Sequence, residues 1–242
     1  MKLRALAMIA AAVAILLLVA AGPGTRAGLW DFRTGLGLIR WAAYVGLAGA
    51  VLALSALAVT RPRGAGLWIL LTALVVAGAA VVLPWRWSQQ AKRVPPIHDI
   101  TTDTQDPPEF VAVLPQRTGA ANPAAYGGDS VAVLQRQAYP DIRPLHLAVP
   151  PNMAFARALA TARAMGWEIV AADTSAGRIE ATATTRWFGF KDDVVIRIRP
   201  EAEGSRVDVR SVSRVGKSDL GTNAARVRSF LARLAPDVES RQ

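Results

Sequence analysis

Residues 186–193, RWFGFKDD, have the residue types of a chemical site. Lys191 stands beside two carboxylates, Asp192 and Asp193, which could act as an acid–base group if burial shifted their pKa values. The alternative is a tight connection between two strands. In that arrangement the three aromatic residues cap the core of the domain and the charged side chains face water.

A second candidate site lies at residues 98–106, HDITTDTQD. His98, Asp99 and Asp103 offer oxygen ligands and one imidazole, which could hold a divalent cation. The spacing does not match an EF-hand loop, and aspartates after prolines are also typical of turns. Both interpretations stay open, and the sequence identifies no cofactor.

The segment GKSDLG resembles a phosphate-binding loop only superficially, because a Walker A motif needs a glycine where this chain has Ser211. Ser218 and Asp219 are instead predicted to cap the helix that follows. Arg214 and Lys217 precede the positive end of that helix, so an anionic group could bind there.

Hydrophobic periodicity predicts the elements that position these residues. An amphipathic helix, four strands with alternating apolar side chains, and a second amphipathic helix follow one another, with a further strand possible at 145–149. This order predicts an α+β domain in which two helices cover an antiparallel sheet of four or five strands. The predicted helices are 152–166 and 220–234, and the predicted strands are 167–173, 178–187, 194–199 and 206–213.

Two strand pairings follow from the predicted hairpins. Asp173 is expected opposite Arg178, and Asp208 opposite Arg197 as an exposed ion pair that contributes about 0.5 kcal/mol. One face of the sheet is apolar and is expected to lie under the helices. This leaves the other face, which carries arginine and aspartate, or the loops at the ends of the sheet as the surface for binding.

The chain before this domain contains three apolar runs at 5–22, 41–59 and 66–84, none of which contains a charged residue. Each is long enough to cross a bilayer as a helix. We therefore predict a transmembrane anchor over 1–93 and an extramembrane domain over 94–242, with an irregular surface stretch at 115–151 that is rich in proline and glycine.

The formal charge of +10 belongs almost entirely to the anchor. Ten of the 28 basic residues and one of the 18 acidic residues lie in positions 1–94, so the remainder is nearly neutral. Basic residues at the ends of apolar runs are typical of lipid contact, whereas DNA binding needs a basic patch on the folded domain. The predicted partner is therefore the lipid bilayer and not nucleic acid.

A count of the basic residues on each side, six against four, favours the opposite orientation, but Lys2, Arg4 and the very short RPRG turn (61–64) are tightly placed and favour an amino terminus inside the cell. This predicts a multi-pass protein of the inner membrane with its domain on the periplasmic side. The chain has no cysteine, which excludes disulfides and thiolate catalysis.

Three segments of the domain together resemble a bacterial, membrane-anchored family known only as a domain of unknown function. The resemblance supports the position of the domain and implies no catalytic residue. The segments are PPIHDITTD (95–103), WFGFKDDVVIRI (187–198) and SRVGKSDLGTNAARVR (213–228).

The resulting hypothesis is a membrane-anchored module that binds a protein or an anionic small molecule through one polar surface made by the three candidate segments. The first alternative is an enzyme, such as a metal-assisted hydrolase, in which His98, Asp99 and one of Asp192 and Asp193 converge in a pocket. The second alternative is a structural subunit of a membrane assembly.

Overall fold

A computed structural model describes residues 2–235, which form two compact units. The first unit contains the chain up to Lys92 together with the short segment Arg186–Gly189, and the second contains the remaining residues. The predicted end of the domain at residue 242 lies outside the described residues.

The first unit consists mainly of three helices, α1 (Lys2–Arg26), α2 (Phe32–Thr60) and α3 (Ala65–Arg93). All three are long and apolar enough to cross a membrane, and they extend beyond the predicted apolar runs. Small residues allow the helices to approach closely. A Cβ atom added to Gly46 would lie 2.8 Å from the carbonyl oxygen of Ala77. This agrees with the preference for small residues where membrane helices meet.

The segment Arg186–Gly189 is the tip of a loop between two strands, yet it groups with the apolar helices. Within this unit the ring of Trp187 lies 5.2 Å from that of Trp87, and its other neighbour is Phe188 at 5.0 Å. The prediction that these aromatic residues cap the core of the sheet is therefore wrong for Trp187 and Phe188.

The second unit is built on an antiparallel sheet of six strands in the order β1-β6-β5-β4-β3, with β2 also paired to β6. The α+β class is confirmed, and the sheet has one strand more than the upper prediction. The strands are β1 (Asp99–Thr101), β2 (Leu145–Leu147), β3 (Glu168–Asp173), β4 (Arg178–Thr184), β5 (Lys191–Glu201) and β6 (Gly204–Ser213); the helices are α4 (Asp129–Ala138), α5 (Pro151–Ala164) and α6 (Thr222–Leu234).

The register confirms both predicted pairings, because Asp173 lies opposite Arg178 and Arg197 lies opposite Asp208. Successive side chains of a strand point to opposite faces, so apolar residues such as Ile196 share one face. α5 and α6 cover that face. In the resulting core the ring of Trp167 stacks on Phe230 at 5.4 Å.

The opposite, polar face was predicted as one of two possible binding surfaces and is instead covered. Residues 102–126, which we call the strap, cross it and include a short 3₁₀ helix, Leu114–Arg117. Phe110 and Val113 of the strap are buried against Val195 and Val212 of the sheet. The strap lacks the periodic hydrophobic pattern of a helix or strand, so sequence patterning did not identify it as a layer of the domain.

The stretch 115–151 is more regular than predicted, since it contains α4 and β2. Gln135 of α4 is buried and makes two hydrogen bonds to the backbone of Thr101 in β1. Its Oε1 accepts from the Thr101 amide (3.0 Å) and its Nε2 donates to the Thr101 carbonyl (2.6 Å). The side chain thus satisfies backbone groups on the outer side of β1, which no further strand pairs.

Candidate functional site

Nine of the ten predicted site residues lie at one end of the sheet, where β5 begins and β6 ends; we call this the Lys191 end. Backbone hydrogen bonds hold the segments together. The Arg214 amide donates to the Lys191 carbonyl (3.0 Å), and the Ser213 amide donates to the His98 carbonyl (3.0 Å). The nine residues are His98, Asp99, Lys191, Asp192, Asp193, Arg214, Lys217, Ser218 and Asp219.

Asp192 and Asp193 do not form a pair, because strand alternation sends them to opposite faces of the sheet. Asp192 points to the helix-covered face, where Arg226 of α6 donates to it at 2.6 Å. Asp193 points to the strap-covered face and is fully buried between Arg117 and Arg214, with an Arg214 Nη2–Oδ1 distance of 2.8 Å. The expectation that these charges face water is wrong, since Asp192 is only 3% exposed.

Asp99 and Asp103 are also paired with arginine. Both carboxylate oxygens of buried Asp99 accept from Arg210, Nε at 2.9 Å and Nη2 at 2.7 Å. Asp103 lies away from the Lys191 end and accepts from Arg206 at 2.6 Å and from Arg197 at 3.4 Å. The pair that Arg197 makes with Asp208 is not the exposed one that was predicted.

Asp208 and Glu180 are buried carboxylates that sequence reasoning did not select. Asp208 has no exposed surface and accepts from Arg197 at 2.9 Å and from Arg206 at 3.2 Å. Glu180 of β4 accepts from Arg178 Nε at 3.0 Å and from three consecutive backbone amides of the strap at 2.9 to 3.1 Å. The alternation of side chains in β4 and β6 already places Glu180 and Asp208 on the polar face, but that face was expected to be solvated.

The N-cap of the last helix is Gly221, and Asp219, one of the two residues predicted to cap this helix, lies two residues before it. Asp219 accepts from the amides of Gly221 (2.8 Å) and Asn223 (2.6 Å), at the start of α6, and the Ser218 hydroxyl accepts from the Leu220 amide. Burial raises the pKa of Asp219, and the two backbone hydrogen bonds oppose that shift. Asp219 therefore fixes the start of α6.

These pairings determine what the carboxylates can do chemically. A carboxylate whose oxygens accept from guanidinium groups and backbone amides has few lone pairs left for a metal ion or a substrate proton. Among residues 2–235 no three His, Asp or Glu side chains come together in a group that could hold a metal ion. Asp99 and Asp192 lie on opposite faces of the sheet, and Asp193, which shares the face of Asp99, is buried between Arg117 and Arg214. This arrangement does not support convergence of His98, Asp99 and either Asp192 or Asp193 in one pocket.

The exposed charged groups at the Lys191 end include two lysines and the carboxylate of Glu168. Only two lysines follow residue 93 in the chain, Lys191 and Lys217, and both are exposed there. Lys191 Nζ lies 3.9 Å from Glu168, a long contact between two exposed side chains. His98 is half-buried beside them, with its Nδ1 3.4 Å from the carbonyl of Lys217.

A family model described as a protein of unknown function, DUF1499, matches residues 99–234. The match covers more than half of the chain and lies in the second unit, apart from the segment Arg186–Gly189. No curated protein matches the chain.

Proposed function

The chain belongs to the DUF1499 family of proteins of unknown function, and because that membership supplies no activity, we propose a function from the geometry of the domain. The three apolar helices are a multi-pass anchor in a bacterial inner membrane, and residues 94–242 form an extramembrane binding domain on its periplasmic side. The domain binds an anionic group of a ligand or partner through the exposed basic side chains at the Lys191 end.

One observation carries this proposal. The carboxylates of the three candidate segments turn inward and pair with arginine or cap α6, whereas Lys191 and Lys217 remain outside. A surface on which the nominated aspartates already have partners and two lysines are exposed is suited to an anionic partner. The backbone hydrogen bonds between the segments hold the two lysines on a rigid frame.

Binding is favoured over hydrolysis because the nominated carboxylates are engaged. A hydrolase needs a base or a metal-bound water near the substrate, and the carboxylates nearest His98 belong to ion pairs or helix caps. A purely structural subunit has the same fold but predicts no ligand at the two lysines.

Lysine acylation tests the proposal on the full chain in phosphatidylcholine nanodiscs. A limiting amount of an N-hydroxysuccinimide acetate is applied with and without glycerol 3-phosphate, and the modified lysines are measured by mass spectrometry. We expect at least about twofold protection of Lys191 and Lys217, with Lys2 of α1 as an internal control. Equal acylation with and without the phosphate ester would leave the structural subunit as the better explanation.

The same chemistry tests the orientation. A membrane-impermeant form of the reagent, applied to intact spheroplasts, is expected to modify Lys191 and Lys217. Modification only after lysis would place the domain in the cytoplasm.

A further inference from the structure

Two neighbouring cavities lie at the other end of the sheet, where β5 ends and β4 begins. The first, of about 230 Å³, opens on the strap-covered face and contains Arg178, Arg197 and Arg199 in its lining. The second, of about 510 Å³, lies on the helix-covered side and is lined largely by apolar groups, among them Phe155 and Ile198. The two volumes together are in the range of small-molecule sites.

The two cavities share lining residues, Ala176 of the β3–β4 turn and Arg199 of β5. The two cavities are therefore adjacent at the end of the sheet, and we call the pair the groove. Strand alternation explains its character, because Ile198 and Arg199 are consecutive and point to opposite faces. The cavity beside α5 is lined largely by apolar groups, and the cavity beside the strap is lined by arginines together with carboxylates.

The arginines that line the groove differ in how many of their nitrogen atoms already donate hydrogen bonds. Arg197 makes hydrogen bonds through all three of its nitrogens, to Asp103, Asp106 and Asp208. Arg178 donates only through Nε and Arg199 only through Nη1 to acceptors among residues 2–235. The other N–H groups of Arg178 and Arg199 are thus available to a ligand.

Charge in the lining limits the ligand further. Glu180 accepts one hydrogen bond from Arg178 and also accepts from three strap amides, so the remaining N–H groups of Arg178 are not used by Glu180. Asp106 and Glu109 line the cavity beside the strap and would repel a multiply charged head. A single carboxylate matches the planar guanidinium donors better than a dianion does.

We propose that this groove binds an amphiphilic carboxylate, with its head at Arg178 and Arg199 and its hydrocarbon chain along Phe155 and Ile198. The site is independent of the basic surface at the Lys191 end, which lies at the opposite end of the sheet. An amphiphilic carboxylate matches an arginine-lined cavity that lies next to a largely apolar one and shares two lining residues with it.

Photolabelling of the full chain in phosphatidylcholine nanodiscs tests this proposal. The probe is dodecanoate carrying a diazirine on its chain, and labelled peptides are identified by mass spectrometry. We expect labelling of the peptides around 151–155 and 174–200. Dodecanoate is expected to compete about tenfold better than dodecanol, which lacks the charge.

Two variants and two controls make the test specific. Ala176→Trp fills the groove at an exposed turn position and is expected to abolish labelling there, whereas Ala164→Trp adds the same bulk to an exposed site on α5 outside the groove. Arg199→Gln is expected to remove the advantage of dodecanoate over dodecanol, and Arg163→Gln is the matched exposed control. Labelling that survives Ala176→Trp, or equal competition by dodecanol and dodecanoate in the unaltered chain, would overturn the proposal.

Discussion

The two faces of the sheet are built from the same strands and are stabilised in different ways. Under α5 and α6, side chains such as Ile196 and Phe230 lose nearly all their exposure through close packing. Under the strap, buried arginines meet carboxylates at hydrogen-bonding distance, as Arg210 does with Asp99. The apolar face gains stability from area removed from water, whereas the polar face depends on each charge finding its partner.

The difference determines how each face responds to change. A shortened apolar side chain leaves a cavity whose cost is graded by the atoms removed. Removing one member of a buried ion pair leaves an uncompensated charge, whereas replacing both members by apolar groups can be nearly neutral. The polar face should therefore show strong coupling between partners and the apolar face should not.

The largest effect is expected for Arg210→Met. Arg210 is 2% exposed, pairs with Asp99 and donates to the carbonyls of Pro108 and Ala124, so it holds the strap at two points. Leaving Asp99 buried and unpaired should lower the free energy of unfolding by about 3–5 kcal/mol. Urea unfolding of the full chain in nanodiscs measures this loss of stability. Hydrogen exchange of the strap amides is the second measurement.

The double variant Asp99→Leu with Arg210→Met is the control for that prediction. It should be more stable than Arg210→Met alone, because no charge is left buried without a partner. If the double variant loses as much free energy of unfolding as the two single variants lose together, the two charges act independently. The proposed contrast between the faces then fails.

A smaller effect is expected for Glu180→Gln. The substitution keeps the shape of the side chain but removes the negative charge that three strap amides share, which should cost about 2 kcal/mol. Hydrogen exchange should accelerate at the amides of 111–113. The matched variant on the apolar face, Ile196→Val, should cost about 1 kcal/mol and leave exchange at 111–113 unchanged. A similar response of those amides to both variants would contradict the assignment of Glu180 to the strap.

The smallest effect is expected for an exposed pair that belongs to neither face. Arg228 of α6 holds Asp141 through two hydrogen bonds of 2.5 and 2.6 Å, and the bond to Arg228 lowers the pKa of Asp141. Both side chains are about half exposed, so Asp141→Asn should cost only about 0.5 kcal/mol at about pH 7.

The pH dependence of that cost has a defined sign. Because the pKa of Asp141 is lower in the folded state, its contribution is present above the unfolded pKa of about 4 and is lost as the pH falls through the folded pKa. The stability difference between the unaltered chain and Asp141→Asn should shrink on acidification. Glu203→Gln, at an exposed carboxylate with no ion pair among residues 2–235, should show no such trend.

Alternation within the strands predicted much of the domain. The pairing of Asp173 with Arg178 and of Arg197 with Asp208 followed from hairpin geometry alone. The same alternation implies that Asp192 and Asp193 point to opposite faces, which argues against a shared site. Local patterns of this kind are strong because the side-chain period of a strand is fixed.

The strap was missed because its role depends on contacts distant in sequence. Phe110 and Val113 belong to one short apolar run, FVAVL (110–114), that lies between prolines and shows no polar alternation, and proline-bounded stretches of this kind usually run over a surface. Only the fold brings the amides of 111–113 to Glu180, across 67 to 69 positions of the chain. The burial of the polar face, and with it the burial of Asp193, could not be inferred without that layer.

Gln135 has a consequence for how molecules of this chain behave when they are crowded together. An unpaired strand at the edge of a sheet invites pairing with another chain. Gln135 occupies backbone groups of β1 on one edge, and β3 on the other edge carries an irregularity in its register between Ile169 and Ala171. At β1 and at β3 the sheet is therefore a poor template for sheet-to-sheet growth, which favours solubility of a domain held at high local concentration.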